Sequence, residues 1–312
     1  PCYVLSPRTP SEEKARAALL ARCRRELDST GLVHLPDFLT REACRSMLAE
    51  ESELVEAGEG FYSADTHKVY LDGAAAADDE GDEEPAMSRQ RSSKTLVAFD
   101  QLDEGGALKR LYRWEPLRAF LEELMREGAL ERSPDPMNAA HLNRYDVGDR
   151  IGWHFDNSPF FCNLVLEQPD CGGVFEYVPS SLGKSRKAIV RIVARSTESE
   201  SEAEAVKGGR PRPISAMRQK GEPVGIRVPW GVIEITNPPP RPDTAIRAVP
   251  QIRTGSLVIF RGAESMHRVT CVEASPTGDH GRARRVSAIF NFNPPGAGVL
   301  TPYTREKFFG RR

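Results

Sequence analysis

His154, Phe155 and Asp156 set an imidazole and a carboxylate two residues apart. They follow a β-prone stretch over 149–153, and in an extended chain residues i and i+2 point to the same face. Both side chains can therefore reach one ion. His267 offers a third ligand just beyond the strongly β-prone run GSLVIFR at 255–261. Two imidazoles and one carboxylate on adjacent strands make a facial set suited to Fe(II), which leaves three coordination positions open for a bidentate 2-oxo acid and O2. Alone, a His-x-Asp in a strand is more often an ordinary polar pair, so the triad needs support from elsewhere in the chain.

That support lies downstream, where Arg285-Val286-Ser287 opens a further strand. Alternation puts Arg285 and Ser287 on one face and Val286, Ala288, Phe290 and Phe292 on the other. A planar guanidinium fork beside a hydroxyl is well built to grip a carboxylate. Arg282 and Arg284 read as an exposed basic edge, whereas Arg285 begins the apolar alternation.

The order HxD, distal His, then RxS on the next strand resembles the 2-oxoglutarate and Fe(II)-dependent dioxygenase superfamily over roughly residues 143–294. Asn143-Arg144-Tyr145-Asp146-Val147-Gly148 precedes the HxD, and Gly172-Gly173-Val174-Phe175-Glu176-Tyr177-Val178-Pro179 follows it. With Phe260-Arg261-Gly262 before His267-Arg268-Val269-Thr270, these are similar to amino-acid hydroxylases and their Fe(II) halogenase relatives. The resemblance implies an α+β, mainly β fold: a double-stranded β-helix of the jelly-roll or cupin type, with flanking N-terminal helices and the iron at its open end. It also implies that His154, Asp156 and His267 are the catalytic iron ligands. 2-Oxoglutarate would chelate the iron, Arg285 and Ser287 would hold its far carboxylate, and succinate and CO2 would be released. In a halogenase the carboxylate ligand is replaced by a small residue that opens a place for chloride. Asp156 fills that place, so hydroxylation of an unactivated carbon of a small substrate, an amino acid or related metabolite, is the expected outcome.

Asn143 and Tyr145 are placed to line the co-substrate pocket, although a hydrogen-bonded pair within a sheet explains them equally well. Trp153, Asn157, Glu176 and Arg261 are the substrate-binding candidates, because they flank the metal motifs with aromatic, polar or charged groups. Each also fits a purely structural role. His34, His67, His141 and His280 are not assigned to iron, since a lone His is more often a surface or satisfied core residue.

The elements that must position these residues are legible in outline. Residues 11–28, with Ser11 as N-cap, read as an amphipathic helix. A short strand over 31–36 and a second helix capped by Thr40 and running through Met47 and Leu54 follow. The acidic, small-residue run 73–93 reads as a mobile surface loop. Another helix spans Glu115 to about Arg126, with Leu117, Phe120, Leu121 and Leu124 on one face. From Met137 onward the pattern is short β-prone runs, at 141–146, 151–156, 160–167, 173–178, 255–261, 266–273 and 285–293. The expected division is residues 1–136 packing on a catalytic core at 137–312, which carries an insertion at 181–250. In that insertion STESESEAEAVKGGRPRP reads as disordered and GIRVPWGVIEI as strands.

Composition narrows the partners. At 39% hydrophobic and 28% charged residues the chain is globular, and 43 basic against 45 acidic residues give a formal charge of −2. That leaves no field for gathering nucleic acid or an anionic membrane, so a small-molecule substrate is expected and nucleic acid is not. Six cysteines without a CxxC pair point to a reducing compartment, cytoplasmic or an organelle. No apolar run nears the roughly 20 residues of a membrane span. The chain begins at Pro1, which leaves a removed targeting segment open.

Three rival readings stand beside the hydroxylase. Asn143-Arg144-Tyr145, Gly148 and the HxD also resemble the AlkB-type nucleic-acid demethylases, but the second Arg of that pattern falls on Asn291, and the basic footprint is missing. A bulkier apolar or pigment-like substrate would suit a wide lid formed by the insertion. A cupin-like module that holds metal without turnover is the third, since fold alone does not establish function.

Overall fold

The first helix starts at Thr9, not at Ser11. Thr9 accepts from the Glu12 N–H while the Glu12 carboxylate accepts back from the Thr9 N–H, a reciprocal cap with Pro10 at the first helical position. Ser11 therefore sits inside the first turn of α1 (Pro10–Thr30). This computed structural model describes residues 3–69, 90–126, 128–156, 158, 160–185, 187–194, 196, 246–249, 252–275 and 282–312, together with the backbone of 224–228 and 231–235. Thr40 caps α2 (Arg41–Glu56) as expected. A short helix α3 (Ala107–Tyr112) precedes α4 (Glu115–Met125), whose Leu117, Phe120, Leu121 and Leu124 form the buried stripe that their spacing predicts. A helix that the sequence reading lacked, α5 (Pro302–Phe309), ends the chain.

Fifteen strands are described: β1 (Leu32–Leu35), β2 (Phe61–His67), β3 (Gln90–Val97), β4 (Glu131–Arg132), β5 (Ala140–Tyr145), β6 (Ile151–His154), β7 (Phe161–Glu167), β8 (Phe175–Val178), β9 (Val224–Val228), β10 (Gly231–Ile235), β11 (Arg247–Val249), β12 (Leu257–Phe260), β13 (Met266–Val269), β14 (Arg285–Phe290) and β15 (Phe292–Asn293). They form a seven-stranded antiparallel sheet, β1-β12-β7-β14-β5-β3-β2, and a four-stranded antiparallel sheet, β11-β8-β13-β6. Val165, Val258 and Phe260 of the large sheet meet Phe175, Tyr177 and Val269 of the small one in a shared apolar cluster, so the two sheets face each other. On the other side of the large sheet, Leu164, Ile259, Val286, Ala288 and Phe290 join the buried residues of α1, α2 and α4. That second layer is where most of the burial lies, at about 1.5–3 kcal/mol for each fully buried large apolar side chain.

Three features differ from the sequence reading. Gln90–Ser93, the last part of the run expected to be a loop, belong to β3 and pair with β2, while 73–89 lie outside the described residues. The region 181–250 is not only an insertion. Its end, β11, pairs with β8 and completes the small sheet; 187–194 are helical; and GIRVPWGVIEI contributes the β9–β10 pair. Of the polar run at 196–213 only Ser196 is described, and it is buried. The first third of the chain adds β1, β2 and β3 to the large sheet, one at one edge and two at the other. Among the described residues no helix is long and apolar enough to cross a membrane.

Candidate functional site

Antiparallel register sets His154 on β6 directly opposite His267 on β13, with ring centroids 4.1 Å apart. Each Nδ1 faces the backbone carbonyl two residues earlier: Gly152 O at 2.9 Å and Ser265 O at 3.0 Å. A carbonyl only accepts, so each Nδ1 carries a proton and each Nε2 is the ring atom turned toward Asp156. Those two Nε2 atoms lie 3.5 Å from the two oxygens of Asp156, His154 facing Oδ1 and His267 facing Oδ2. All three ligand atoms fall within 4.8 Å of one another.

Asp156 is aimed by its neighbours. Its N–H donates to Gly262 O at 3.1 Å, and a Cβ on Gly262 would overlap Asp156 Oδ2, so only glycine admits the carboxylate there. Burial pushes the His267 imidazole down to about 4 against the opposing pull of Asp156. Burial alone would raise the Asp156 carboxyl, but the facing His267 and His154 outweigh it and hold the group below the usual carboxylate range. Asp156 Oδ2 is buried with no hydrogen-bond donor. Two imidazole nitrogens and an ionised oxygen without a donor thus converge on one point. A divalent cation satisfies all three, and the residues fit one.

A second charged side chain of the cavity is Arg285, on β14 and 1% exposed. Its Nη1 donates to Gly173 O at 3.1 Å, while Nε and Nη2 are buried without a partner. The carbonyl is presented by the Gly172-Gly173 turn, with φ of 69° and 60°, where a Cβ on Gly172 would overlap Cys271 O. Burial lowers the guanidinium from its ordinary value, with Tyr145 opposing, yet an arginine so placed stays charged. Tyr145 pairs with Arg285 and Asn143 with Ser287 across β5 and β14. These four and the triad line one cavity of about 310 Å³. Asn143 Oδ1, like Asn163 Oδ1 nearby, is buried and unpartnered.

Of the substrate-binding candidates, Trp153, Glu176 and Arg261 are not brought there. Trp153 is buried on the opposite face of β6, donating from Nε1 to Ser196 Oγ at 2.8 Å, with the Arg268 guanidinium 4.8 Å over its ring. The alternation that turns His154 inward turns Trp153 outward. Glu176 lies on that same outer face, accepting from Arg268 Nε at 2.7 Å, while its neighbour Phe175 lines the cavity. Arg261 faces Asp28 at 3.8 Å and Glu264 at 3.7 Å, its N–H donating to Gly31 O. Asn157 lies outside the described residues, as does His280. His34 is bonded to Ser256 Oγ at 3.0 Å, whereas His67 and His141 line the cavity.

Lys94 of β3 and the wall formed by Leu300, Thr304, Phe308 and Phe309 were missed by the sequence reading. The alternation Ser92, Lys94, Leu96 in QRSSKTLV was the available signal for the first. No local pattern marks the second. It depends on buried Asp135, whose Oδ2 accepts from Leu300 N at 3.0 Å and from Arg305 Nη2 at 2.8 Å, fixing α5 against the sheet.

The family described as Halogenase D matches residues 77–206, under half of the chain, a span that contains His154 and Asp156. No curated protein matches. Among solved structures, the chain is similar to a prolyl-4-hydroxylase of Pseudomonas putida at 14% identity, covering 87% of this chain and 97% of that one, with a TM-score of 0.45. A non-heme alpha-ketoglutarate-dependent epimerase, SnoN, from nogalamycin biosynthesis, aligns at 16% identity over 90% and 88%, TM-score 0.47. HygX from Streptomyces hygroscopicus, solved with nickel and 2-oxoglutarate, aligns at 12% identity over 90% and 89%, TM-score 0.46.

Proposed function

We propose that this chain, a 2-oxoglutarate and Fe(II)-dependent oxygenase by its family match and its ligand set, hydroxylates an unactivated carbon of a small organic substrate. One observation carries the reading: a triad of two imidazoles and a carboxylate shares its cavity with a buried arginine that has two nitrogens without a partner. His154, Asp156 and His267 would hold the iron. Arg285, through Nε and Nη2, with Ser287 beside it, would hold the far carboxylate of 2-oxoglutarate, and Asn143 and Tyr145 flank that place. Bound Fe(II) with 2-oxoglutarate and O2 supplies the oxidation of a C–H bond, 2-oxoglutarate leaving as succinate and CO2. The protein's share is orientation and the exclusion of water, for which Phe161, Phe175 and Val269 furnish apolar walls.

The two facing sheets are read as the double-stranded β-helix of this superfamily. A cavity of about 310 Å³ among the described residues is at the low end for ligand pockets and must also admit 2-oxoglutarate, which favours a small metabolite over a pigment-sized one. Halogenation is the second reading, because the family match carries that name. Against it, Asp156 occupies the position that chloride would need, and Gly262 is shaped to it. The test is Fe(II)-dependent succinate formation across a panel of small metabolites, with product mass read in the presence of chloride. Hydroxylated product, lost on Asp156→Ala and on Arg285→Ala, is expected. Parent-like turnover by either variant ends the assignment of those residues, and a chlorinated product ends the choice of reaction.

A further inference from the structure

Lys94 projects from the inner face of β3 into the cavity, yet among the described residues it has neither an ion pair nor a hydrogen bond. Its electrostatic neighbours are Asp156, which favours its charge, and His141, whose own charge it opposes. His141 is buried with Nδ1 unpartnered, and the Phe309 ring meets it edge-on at 5.8 Å. We propose that Lys94, seconded by His141, recognises a carboxylate on the substrate, so that the enzyme acts on small organic acids of net negative charge. This rests on the oxygenase reading above and names its substrate class.

Charge balance in a confined cavity is the first argument. Arg285 and Lys94 bring two positive charges and Asp156 one negative, while burial keeps His67 and His141 neutral by pushing them down to about 4 and about 3. Fe(II) and the 2-oxoglutarate dianion are equal and opposite, so their binding leaves one positive charge uncompensated. Burial brings the Lys94 amine down only to about 8, so it is still mostly charged near neutrality. Lys94 is half-buried, and an ammonium held without a counter-ion in so confined a cavity is costly, a cost that an anionic substrate group removes.

The second argument is that 2-oxoglutarate does not need Lys94. Arg285 already has two free donors for the far carboxylate, in the fork geometry that a carboxylate matches. Strand β5 stands between β14 and β3, so the backbones carrying the two cations are about 10 Å apart by strand spacing. Their fields also fall on different groups: Arg285 on Tyr145, Lys94 on Asp156 and His141. Beside Lys94 and His141, Leu300, Phe308 and Phe309 offer an apolar wall for the organic body of the acid.

The test uses the full chain loaded with Fe(II) and 2-oxoglutarate without O2, which gives a visible charge-transfer band that substrates perturb. Probes are short-chain carboxylic acids and N-acetyl amino acids, each beside its primary amide. Failure of the unvaried protein to form the band defeats the oxygenase reading itself, before the present proposal is reached. With the band formed, the acids are expected to perturb it and, once O2 is admitted, to stimulate succinate release, and their amides to do so about 10- to 100-fold less well, the range for losing one charge-assisted hydrogen bond. Lys94→Met should raise the KM of the responding acid by a similar factor, with a smaller change in kcat and no change in 2-oxoglutarate affinity, and Lys94→Arg should recover part of the loss. The proposal is overturned if no acid responds, if amides respond as well as acids, if Lys94→Met leaves KM in place, or if it weakens 2-oxoglutarate instead.

Discussion

The small sheet has two faces built from similar materials. On the outer face Trp153, Arg268 and Glu176 come from three adjacent strands and satisfy one another: ring under guanidinium, guanidinium to carboxylate, indole N–H to Ser196. On the inner face and across the cavity from it, Asp156 Oδ2, two nitrogens of Arg285 and the amide oxygens of Asn143 and Asn163 have no partner. A satisfied polar cluster holds a fold together; an unsatisfied one in a cavity is waiting for a ligand. The same residue types thus mean opposite things on the outer face of the small sheet and in the cavity between the two sheets.

That contrast predicts a separation between activity and stability. The largest effect should follow Asp156→Ala, with turnover down at least about 1000-fold, as expected for losing several kcal/mol of metal-centred stabilisation. The metal-free variant should melt close to the parent, because the lack of a donor on one buried oxygen offsets the pull that the facing groups exert on the carboxylate. A marked fall in the melting temperature of that apo-variant would break the comparison. Gly262→Ala should displace the Asp156 carboxylate and weaken iron affinity about 10- to 100-fold, the usual effect of disturbing what orients a ligand, measured by competition with a chelator.

Arg268→Ala on the outer face should do the reverse. It leaves Glu176 without the guanidinium and Trp153 without its cover, and should cost about 2 kcal/mol in denaturant unfolding while turnover stays within about twofold. An equal loss of activity would show that the two faces are coupled. The smallest effect concerns Lys94. Its folded-state value, about 8, is below that of an unfolded lysine, so between those limits the unfolded chain holds the proton that the folded one has released. Stability of the ligand-free protein therefore rises with pH through that window. Lys94→Met should abolish the rise and lift Tm near neutrality, by roughly 2–4 °C for each ~1 kcal/mol relieved, as read by thermal unfolding at neutral and alkaline pH.

Much of the cavity's chemistry was legible because strand alternation is a local rule. It put His154 with Asp156 and Arg285 with Ser287, while Val286, Ala288, Phe290 and Phe292 turned to the other layer, and the structure keeps all of these on the expected sides. The same rule applied to Trp153 and Glu176 would have sent them outward, since each is one residue from a cavity-lining neighbour. Proximity to a motif in the chain was the weaker guide. Ser11 lost the cap to Thr9 because Thr9 has Glu12 at the distance that a reciprocal cap requires.

From its order of residues alone, this protein determined that His154 goes with Asp156, Arg285 with Ser287, and Val286, Ala288 and Phe290 with the opposite face, because these follow from side-chain direction along a single strand. Only the tertiary structure decided which polar groups find partners. Lys94 enters the cavity because β3 joins the large sheet beside β5, and α5 closes the wall because Asp135 captures Arg305 from far along the chain. Such pairings depend on contacts between distant segments, and no local period encodes them.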